Sequence, residues 1–363
     1  MRIVMLADHL VFGGLETHIV TIINGLTELG HEVLLYVASC SSSILSQISP
    51  DNFTFLSWSE DSIEEIKRFN PDIVHSHPFT AIIKGKEIAA MLQKPLVVTM
   101  HGLYDFGFDD SPLGNEISQS VKRIIAVDYR VALHLLNNVV EPEKISIIRN
   151  GINFDIFHPR KKDKHLMKEL GLNRDGFTIS LISRFDDEKE KPIIQFLRCI
   201  PELSKSSGNL NILIVGDGGK LKEVQNAFPK RIRQGVQIKL IGWEEKIEDI
   251  YNISDLVFGS GRVALEALSC KAPVYAMWEG FGELIGNNNH DAVMMGSTFK
   301  QVHDFELLSS VAKLIKNPKV LNQAAQEGFE VVRRHYDCKV VVNQLVRIYE
   351  QYSKVNNHPN ESN

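Results

Sequence analysis

The stretch Leu256-Val257-Phe258-Gly259-Ser260-Gly261-Arg262-Val263-Ala264-Leu265-Glu266-Ala267 decides the fold. Its apolar head reads as a strand, its glycines as a turn, and its tail as a helix with a carboxylate inside it. Amides freed at a helix start can hold a phosphate, and a glutamate one turn further in can accept hydrogen bonds from ribose hydroxyls. The expectation is one wall of a nucleotide site at the edge of an open sheet.

Strands alternate with helical patterns on both sides of this stretch. Phe177–Ile182, Leu210–Val215, Val236–Ile241, Leu256–Phe258, Pro273–Ala276 and Ala292–Met295 read as the strands of one half. Arg2–Ala7, Glu32–Ala38, Asp72–His75, Leu96–Met100, Arg123–Val127 and Ile145–Ile148 read as those of the other, with helices over Leu15–Leu29 and Ala81–Leu92. Strict alternation implies parallel strands with crossover helices on both faces, so the fold class is α/β with two doubly wound Rossmann-like domains. Asn150-Gly151, Phe157-His158-Pro159 and the basic run Arg160–Lys164 mark the linker between them. The expected domains are 1–159 and 165–337, with an amphipathic helix near 340–353 and a polar, disordered tail over 354–363.

Composition removes several classes. At 363 residues, 44% hydrophobic and 23% charged, the chain is a globular protein of two ordinary cores. A formal charge of −5 gives no reason to expect nucleic acid as a partner. No apolar run approaches the roughly 18 residues that span a bilayer, and Met1–Asp8 reads as a first strand, not a signal peptide. Four scattered cysteines, Cys40, Cys199, Cys270 and Cys338, fit neither a disulfide framework nor a zinc knuckle, and point to a reducing cytoplasm.

The candidate residues lie at strand ends, where open parallel sheets bind ligands. Gly13-Gly14 closes the first strand and opens the first helix, either as a bare turn or as a close backbone approach to a ligand. His101 ends the strand Leu96–Met100, where an imidazole can donate to a substrate hydroxyl or simply pack. His75 and His77 end a neighbouring strand, but no carboxylate is fixed beside them and no metal site is expected. Arg184 and Lys189, in the charged loop Ser183–Lys191, could neutralise a departing diphosphate. Gly216-Asp217-Gly218-Gly219 is a turn compatible with phosphate, and Glu279-Gly280-Phe281-Gly282-Glu283 is a strand-end turn with two acids.

In this order the motifs resemble the retaining glycosyltransferases of family 4, with the GT-B fold. Gly13-Gly14-Leu15-Glu16-Thr17-His18 followed by Gly30-His31-Glu32-Val33 is similar to that family's amino-terminal signature. His101, the segment Ile147–Ile152 through Pro159, the Arg184 and Lys189 pair, Gly216-Asp217-Gly218, and Gly261–Ala267 with Ala272-Pro273-Val274 follow in the family's sequence, over roughly residues 1 to 350. The resemblance implies two domains facing across a cleft, the last helix crossing back to complete the first. It implies transfer of a sugar from a nucleotide-diphosphate donor, with retention and without an essential metal or other cofactor. Gly14, Gly216, Gly261, Arg262, Glu266 and Glu283 would then serve the donor, His101, Arg184 and Lys189 would be catalytic, and Glu16, His18 and His77 would lie on the acceptor side. Lys191 is the fallback for Lys189. The acceptor would be a glycan, a lipid-linked or a small molecule of glycan, cell-envelope or glycoconjugate synthesis, with peripheral membrane contact conceivable near Lys84-Gly85-Lys86.

One departure stands out. Many members carry two glutamates eight positions apart; the second is Glu266 and the first position holds Phe258, with Arg262 where an apolar residue is usual. Glu279, Glu283 or the amides of Gly280–Gly282 would have to substitute in orienting the sugar. The alternative is a degenerate relative that binds nucleotide-sugar or glycan without turnover. A nucleotide-sugar epimerase lacks an assignable acid and base pair, and a dehydrogenase lacks the dinucleotide fingerprint.

Overall fold

The computed structural model of the protein describes residues 1–11, 13–104, 106–109, 111–139, 141–291 and 299–353. Two compact units are formed, Met1–Gly151 with His335–Asn363, and Ile152–Arg334.

The first unit is built on strands β1 (Arg2–Leu10), β2 (Glu32–Cys40), β3 (Phe53–Ser57), β4 (Ile73–Ser76), β5 (Leu96–Met100), β6 (Val121–Ala126) and β7 (Ile145–Ile147). Their order is β3-β2-β1-β4-β5-β6-β7, and every pair is parallel. The crossovers carry helices α1 (Gly14–Glu28), α2 (Ser42–Leu45), α3 (Glu60–Phe69), α4 (Thr80–Leu92), α5 (Pro112–Ser120) and α6 (Tyr129–Leu136). β1 shows why the sheet needs cover on both faces. Val4 and Leu6 enter a core with Val74, Val98 and Ile124, while Ile3, Met5 and Ala7 enter a second with Ile19, Ile23 and Leu345. The edge strand β3 is absent from the sequence reading because Phe53-Thr54-Phe55-Leu56-Ser57 is short and has no fully buried residue.

The second unit holds β8 (Phe177–Ile182), β9 (Leu210–Val215), β10 (Val236–Gly242), β11 (Leu256–Gly259), β12 (Val274–Met277) and β13 (Phe281–Leu284), in the order β10-β9-β8-β11-β12-β13. Its helices are α7 (Lys164–Glu169), α8 (Glu190–Ser206), α9 (Leu221–Asn226), α10 (Ile247–Ile253), α11 (Gly261–Ser269), α12 (Asp304–Ile315) and α13 (Pro318–His335). The expectation of purely parallel strands fails at one edge. β13 runs antiparallel to β12, pairing Tyr275 with Leu284 and Met277 with Phe281. The segment Glu279–Glu283 is thus the turn and start of a hairpin, closed by Trp278 N–H donating to the Gly280 carbonyl at 3.0 Å. The strand expected over 292–295 and the tail over 354–363 lie outside the described residues.

The last helix, α14 (Cys338–Ser353), belongs to the first unit. Val341, Val342, Leu345 and Tyr349 sink into the same core as Ile19 and Ile23 of α1. Gly25 of α1 makes the fit possible, because a Cβ there would meet Val342 Cγ2 at 2.6 Å.

Each sheet reverses its strand order once, between β1 and β4 in the first unit and between β8 and β11 in the second. Ligands of doubly wound sheets bind at the carboxyl ends of strands flanking such a reversal.

Candidate functional site

At the reversal in the first unit the strand ends carry imidazoles. His75 lies in β4, His77 follows it, His101 follows β5, and His18 projects from α1. His77 Nδ1 and His101 Nε2 are 2.9 Å apart, so one ring must present N–H and the other its lone pair. The His18 ring stands edge-on to His101 at 4.8 Å between centroids and to His77 at 5.9 Å. His75 is fixed from both sides, by Tyr349 Oη of α14 at 2.6 Å from Nδ1 and Thr99 Oγ1 at 2.8 Å from Nε2. Burial, followed by repulsion among the imidazoles, holds His77 and His101 well below the usual histidine range; burial, then His18, pushes His75 down to about 3. His75, His77 and His101 are therefore neutral near pH 7, hydrogen-bonding rings and not cations. Among the described residues no group of three or more His, Cys, Asp or Glu side chains is arranged to hold a metal ion.

The other first-unit candidates behave differently from one another. Glu16 turns back on its own turn, accepting from the Val11 N–H at 3.3 Å, and a Cβ on Gly13 would strike its carboxylate at 2.8 Å. Glu16 therefore shapes the glycine turn. A Cβ on Gly14 would meet nothing within 4 Å, so nothing in the unit's own packing demands glycine there. The reading missed Asp8, at the end of β1. Its carboxylate accepts from the N–H groups of Phe79, Thr80 and Ala81 at 3.0, 2.9 and 2.7 Å, closing the amino end of α4 to any other anion. Lys84 and Lys86 are also occupied within the unit, the first over the Trp58 ring at 4.7 Å and the second with Glu116 at 2.6 Å.

At the reversal in the second unit the strand ends carry charge. Beyond β8, Arg184 is exposed, Phe185 anchors the loop in the core, and Lys189 is almost buried at the start of α8. Asp187 and Glu188 between them both take left-handed backbone angles, φ 53° and 69°. Such angles cost non-glycine residues energy and concentrate at functional loops. Lys189 Nζ lies 4.8 Å from the centre of the Trp278 ring, which follows β12. The ring reaches the turn after β11, where its nearest carbon would lie 3.6 Å from a Cβ on Gly261. Gly261, at φ +54°, opens α11, and the preceding Ser260 places no side-chain cap on the helix. Lys189, Trp278 and an uncapped helix start thus converge from three adjacent strands, β8, β11 and β12. Positive charge and helix amides together suit an anion.

The other donor-side candidates have partners within the unit. Gly216 is a packing glycine: its N–H donates to the Gly242 carbonyl at 2.8 Å, and a Cβ would lie 1.9 Å from the Ser183 carbonyl oxygen. The neighbouring amides of Gly218 and Gly219 are taken by the Asp217 and Asp186 carboxylates, each at 2.8 Å, so the turn cradles no phosphate in this state. Glu266 is engaged within its own unit. Arg262 Nε lies 2.7 Å from its Oε1, and the buried Tyr251 hydroxyl donates to Oε2 at 3.0 Å. Burial raises the Glu266 carboxyl above the ordinary range, against the pull of Arg262 and Tyr251. Phe258 lies in the core beside Phe196, Tyr275 and Phe281, so that position faces away from solvent altogether. Glu283 is exposed on β13 and accepts from Asn289 Nδ2 at 3.1 Å, and Lys191 pairs with Glu188 at 2.5 Å on the surface.

Trp278 was the residue missed here. The signal was available, since an aromatic side chain ending the strand Val274–Met277 just before a glycine turn has no inward face to fill.

Two doubly wound units of this kind define the GT-B class of glycosyltransferases. Residues 12–156 match the family described as Glycosyltransferase Family 4, and residues 162–331 match Glycosyl transferases group 1. The chain belongs to glycosyltransferase family 4 and is a glycosyltransferase. It is 24% identical over 301 residues to the UDP-Gal:alpha-D-GlcNAc-diphosphoundecaprenol alpha-1,3-galactosyltransferase of Escherichia coli, covering 74% of each chain. It is 21% identical over 390 aligned positions to the alpha-monoglucosyldiacylglycerol synthase of Acholeplasma laidlawii, covering 96% of each. Among solved structures, Anabaena HepE in complex with UDP-glucose superposes with a TM-score of 0.73 at 16% identity, over 97% of this chain and 100% of that one.

Proposed function

We propose that the protein transfers a sugar from a nucleotide-diphosphate donor to the hydroxyl of a glycan, a lipid-linked or a small-molecule acceptor, with retention of configuration. The observation that carries the reading is the convergence of Lys189 with the uncapped start of α11 at the strand-order reversal of the second unit. In the proposed step the bond from the sugar's anomeric carbon to the diphosphate oxygen breaks. The acceptor oxygen bonds to that carbon from the same face, and its proton passes to the departing phosphate. Charge building on the diphosphate is met by Lys189, Arg184 and the α11 amides, which act in the transition state where it develops. No essential metal ion is invoked, because these groups supply the countercharge. His101, neutral, serves as a hydrogen-bond partner of the transferred sugar, and Gly14 as a close-approach contact of the donor.

The names of the relatives favour a lipid-linked acceptor and a uridine nucleotide as the first to test. No described helix is long and apolar enough to cross a membrane, so a lipid-linked acceptor would be met at a surface, with the protein peripheral on the cytoplasmic side. Melting temperatures with UDP, GDP and ADP, followed by donor consumption with lipid-linked acceptors, test the reading. If no nucleotide raises the midpoint, it fails.

A second reading, a relative that binds nucleotide-sugar or glycan without turnover, draws on the closed Glu266 carboxylate. Donor binding with no nucleotide release over a range of acceptors would select it.

A further inference from the structure

We propose that Trp278 is a positioning residue for sugar transfer: its indole face holds the Lys189 ammonium beside the start of α11 without neutralising it. This rests on the donor reading above. The Lys189 side chain is 11% exposed, and a lysine so enclosed is normally met by a carboxylate or by hydrogen bonds. Its acidic partner, Asp187 Oδ2, is a long ion pair at 3.6 Å on a side chain 74% exposed, where water screens it. The Trp278 ring is its other partner, with Nζ 4.8 Å from its centre, inside the range in which a ring quadrupole attracts a cation.

The chemistry of the site gives this arrangement a reason. A carboxylate against Lys189 would cancel the charge the diphosphate needs and would repel the diphosphate itself. An aromatic face attracts the ammonium yet leaves its formal charge intact and its N–H donors free to turn toward an incoming oxyanion. Trp278 can do this because of two neighbours. The ring packs against the turn after β11, where a Cβ on Gly261 would sit in contact with it at 3.6 Å, and the Trp278 N–H donates to the Gly280 carbonyl at 3.0 Å, fixing the backbone from which the ring projects. The ring is 37% exposed, so it stands at the rim of the site and not in the core beneath it.

The test is a set of full-length variants assayed for nucleotide binding by melting shift and for donor turnover. Trp278→Leu removes the ring face; Trp278→Phe keeps a weaker one. The expected result is a fall in kcat of about 3- to 30-fold for Trp278→Leu, the range a cation–ring contact spans, with most of it restored in Trp278→Phe. Adding Trp278→Leu to Lys189→Met should cost nothing further, because the ring acts through the ammonium. A Trp278→Leu variant that folds, binds nucleotide and turns over like wild type overturns the proposal alone. So does a loss that simply adds to that of Lys189→Met. Absence of any nucleotide shift in the wild-type protein overturns the donor reading, and this proposal with it. Should Trp278→Leu fold poorly, quenching of indole fluorescence by nucleotide in Trp58→Phe/Trp243→Phe protein, lost in its Lys189→Met derivative, supports the pairing; quenching unchanged by that substitution overturns it.

Discussion

The two strand-order reversals of this molecule share an architecture and have opposite electrostatics. At the first, four histidines pack ring against ring, and burial holds His75, His77 and His101 neutral. At the second, Lys189, Arg184 and an uncapped helix start offer positive groups, while the buried Glu266 carboxylate is tied down by Arg262 and Tyr251. A doubly wound sheet fixes where a ligand sits but leaves the polarity of the site to a few side chains. A neutral edge suits the hydroxyls of a sugar; a positive one suits a diphosphate.

The largest test of that contrast is charge removal at the second edge. Lys189→Ala should lower kcat by about 10²- to 10³-fold, the range for deleting one preorganised electrostatic contact in a transition state. His101→Ala should act mainly on sugar placement, with a smaller loss and an unchanged nucleotide melting shift. Steady-state kinetics with one donor checks both. Equal losses at the two edges would erase the distinction.

Glu266 tests whether the closed carboxylate is structural. Glu266→Ala strands the Tyr251 hydroxyl and Arg262 in a buried place and should cost about 3 kcal/mol in urea unfolding, whereas Glu266→Gln, which keeps an acceptor for Tyr251, should cost less. If Glu266→Ala is as stable as wild type yet loses the nucleotide shift, the carboxylate opens to ribose in solution and the sequence reading of it stands.

The fate of Glu266 shows how much of the molecule its sequence makes legible. Strands such as Ile3–Ala7 and Ile212–Val215 of β9 are visible because burial on both faces forces unbroken apolar runs. The edge strands β3 and β13 escape because an edge needs no such run, and β13 carries Gly282 and Glu283, which mimic a turn. Candidate residues at strand ends are legible for the same topological reason, as His101, Lys189 and Gly261 illustrate. What side chains do there is not, because it depends on partners far away in sequence: Tyr251 for Glu266, Gly242 for Gly216, Trp278 for Lys189. Phe258 looked like a missing catalytic acid and is a core residue, since alternation along β11 turns it inward.

The neutral edge predicts an acid sensitivity that the charged edge does not. His75, His77 and His101 have folded-state values below the unfolded 6.5, so the unfolded chain binds more protons as the pH falls. Their contribution is fully present above about pH 6.5 and is lost progressively below it, for His75 down to about 3. Each should cost roughly 1 kcal/mol of stability per pH unit in that window. Urea midpoints between pH 7 and 5 check this, and His75→Gln should flatten the slope by about one proton.

The smallest effect on stability separates glycines that the fold needs from one that only a ligand would. Gly216→Ala must displace the Ser183 carbonyl, 1.9 Å from the new methyl, and Gly25→Ala must displace the buried Val342 Cγ2 at 2.6 Å; both should lower the melting temperature. Gly14→Ala meets nothing within 4 Å and sits in the first turn of α1, so its stability should change by less than about 0.5 kcal/mol. If the donor approaches the backbone at Gly14, the same methyl should raise the donor KM while leaving the fold untouched. A Gly14→Ala variant with unchanged donor KM would mean that the first unit's glycine turn serves α1 and not the donor, confining donor binding among the tested residues to the charged edge.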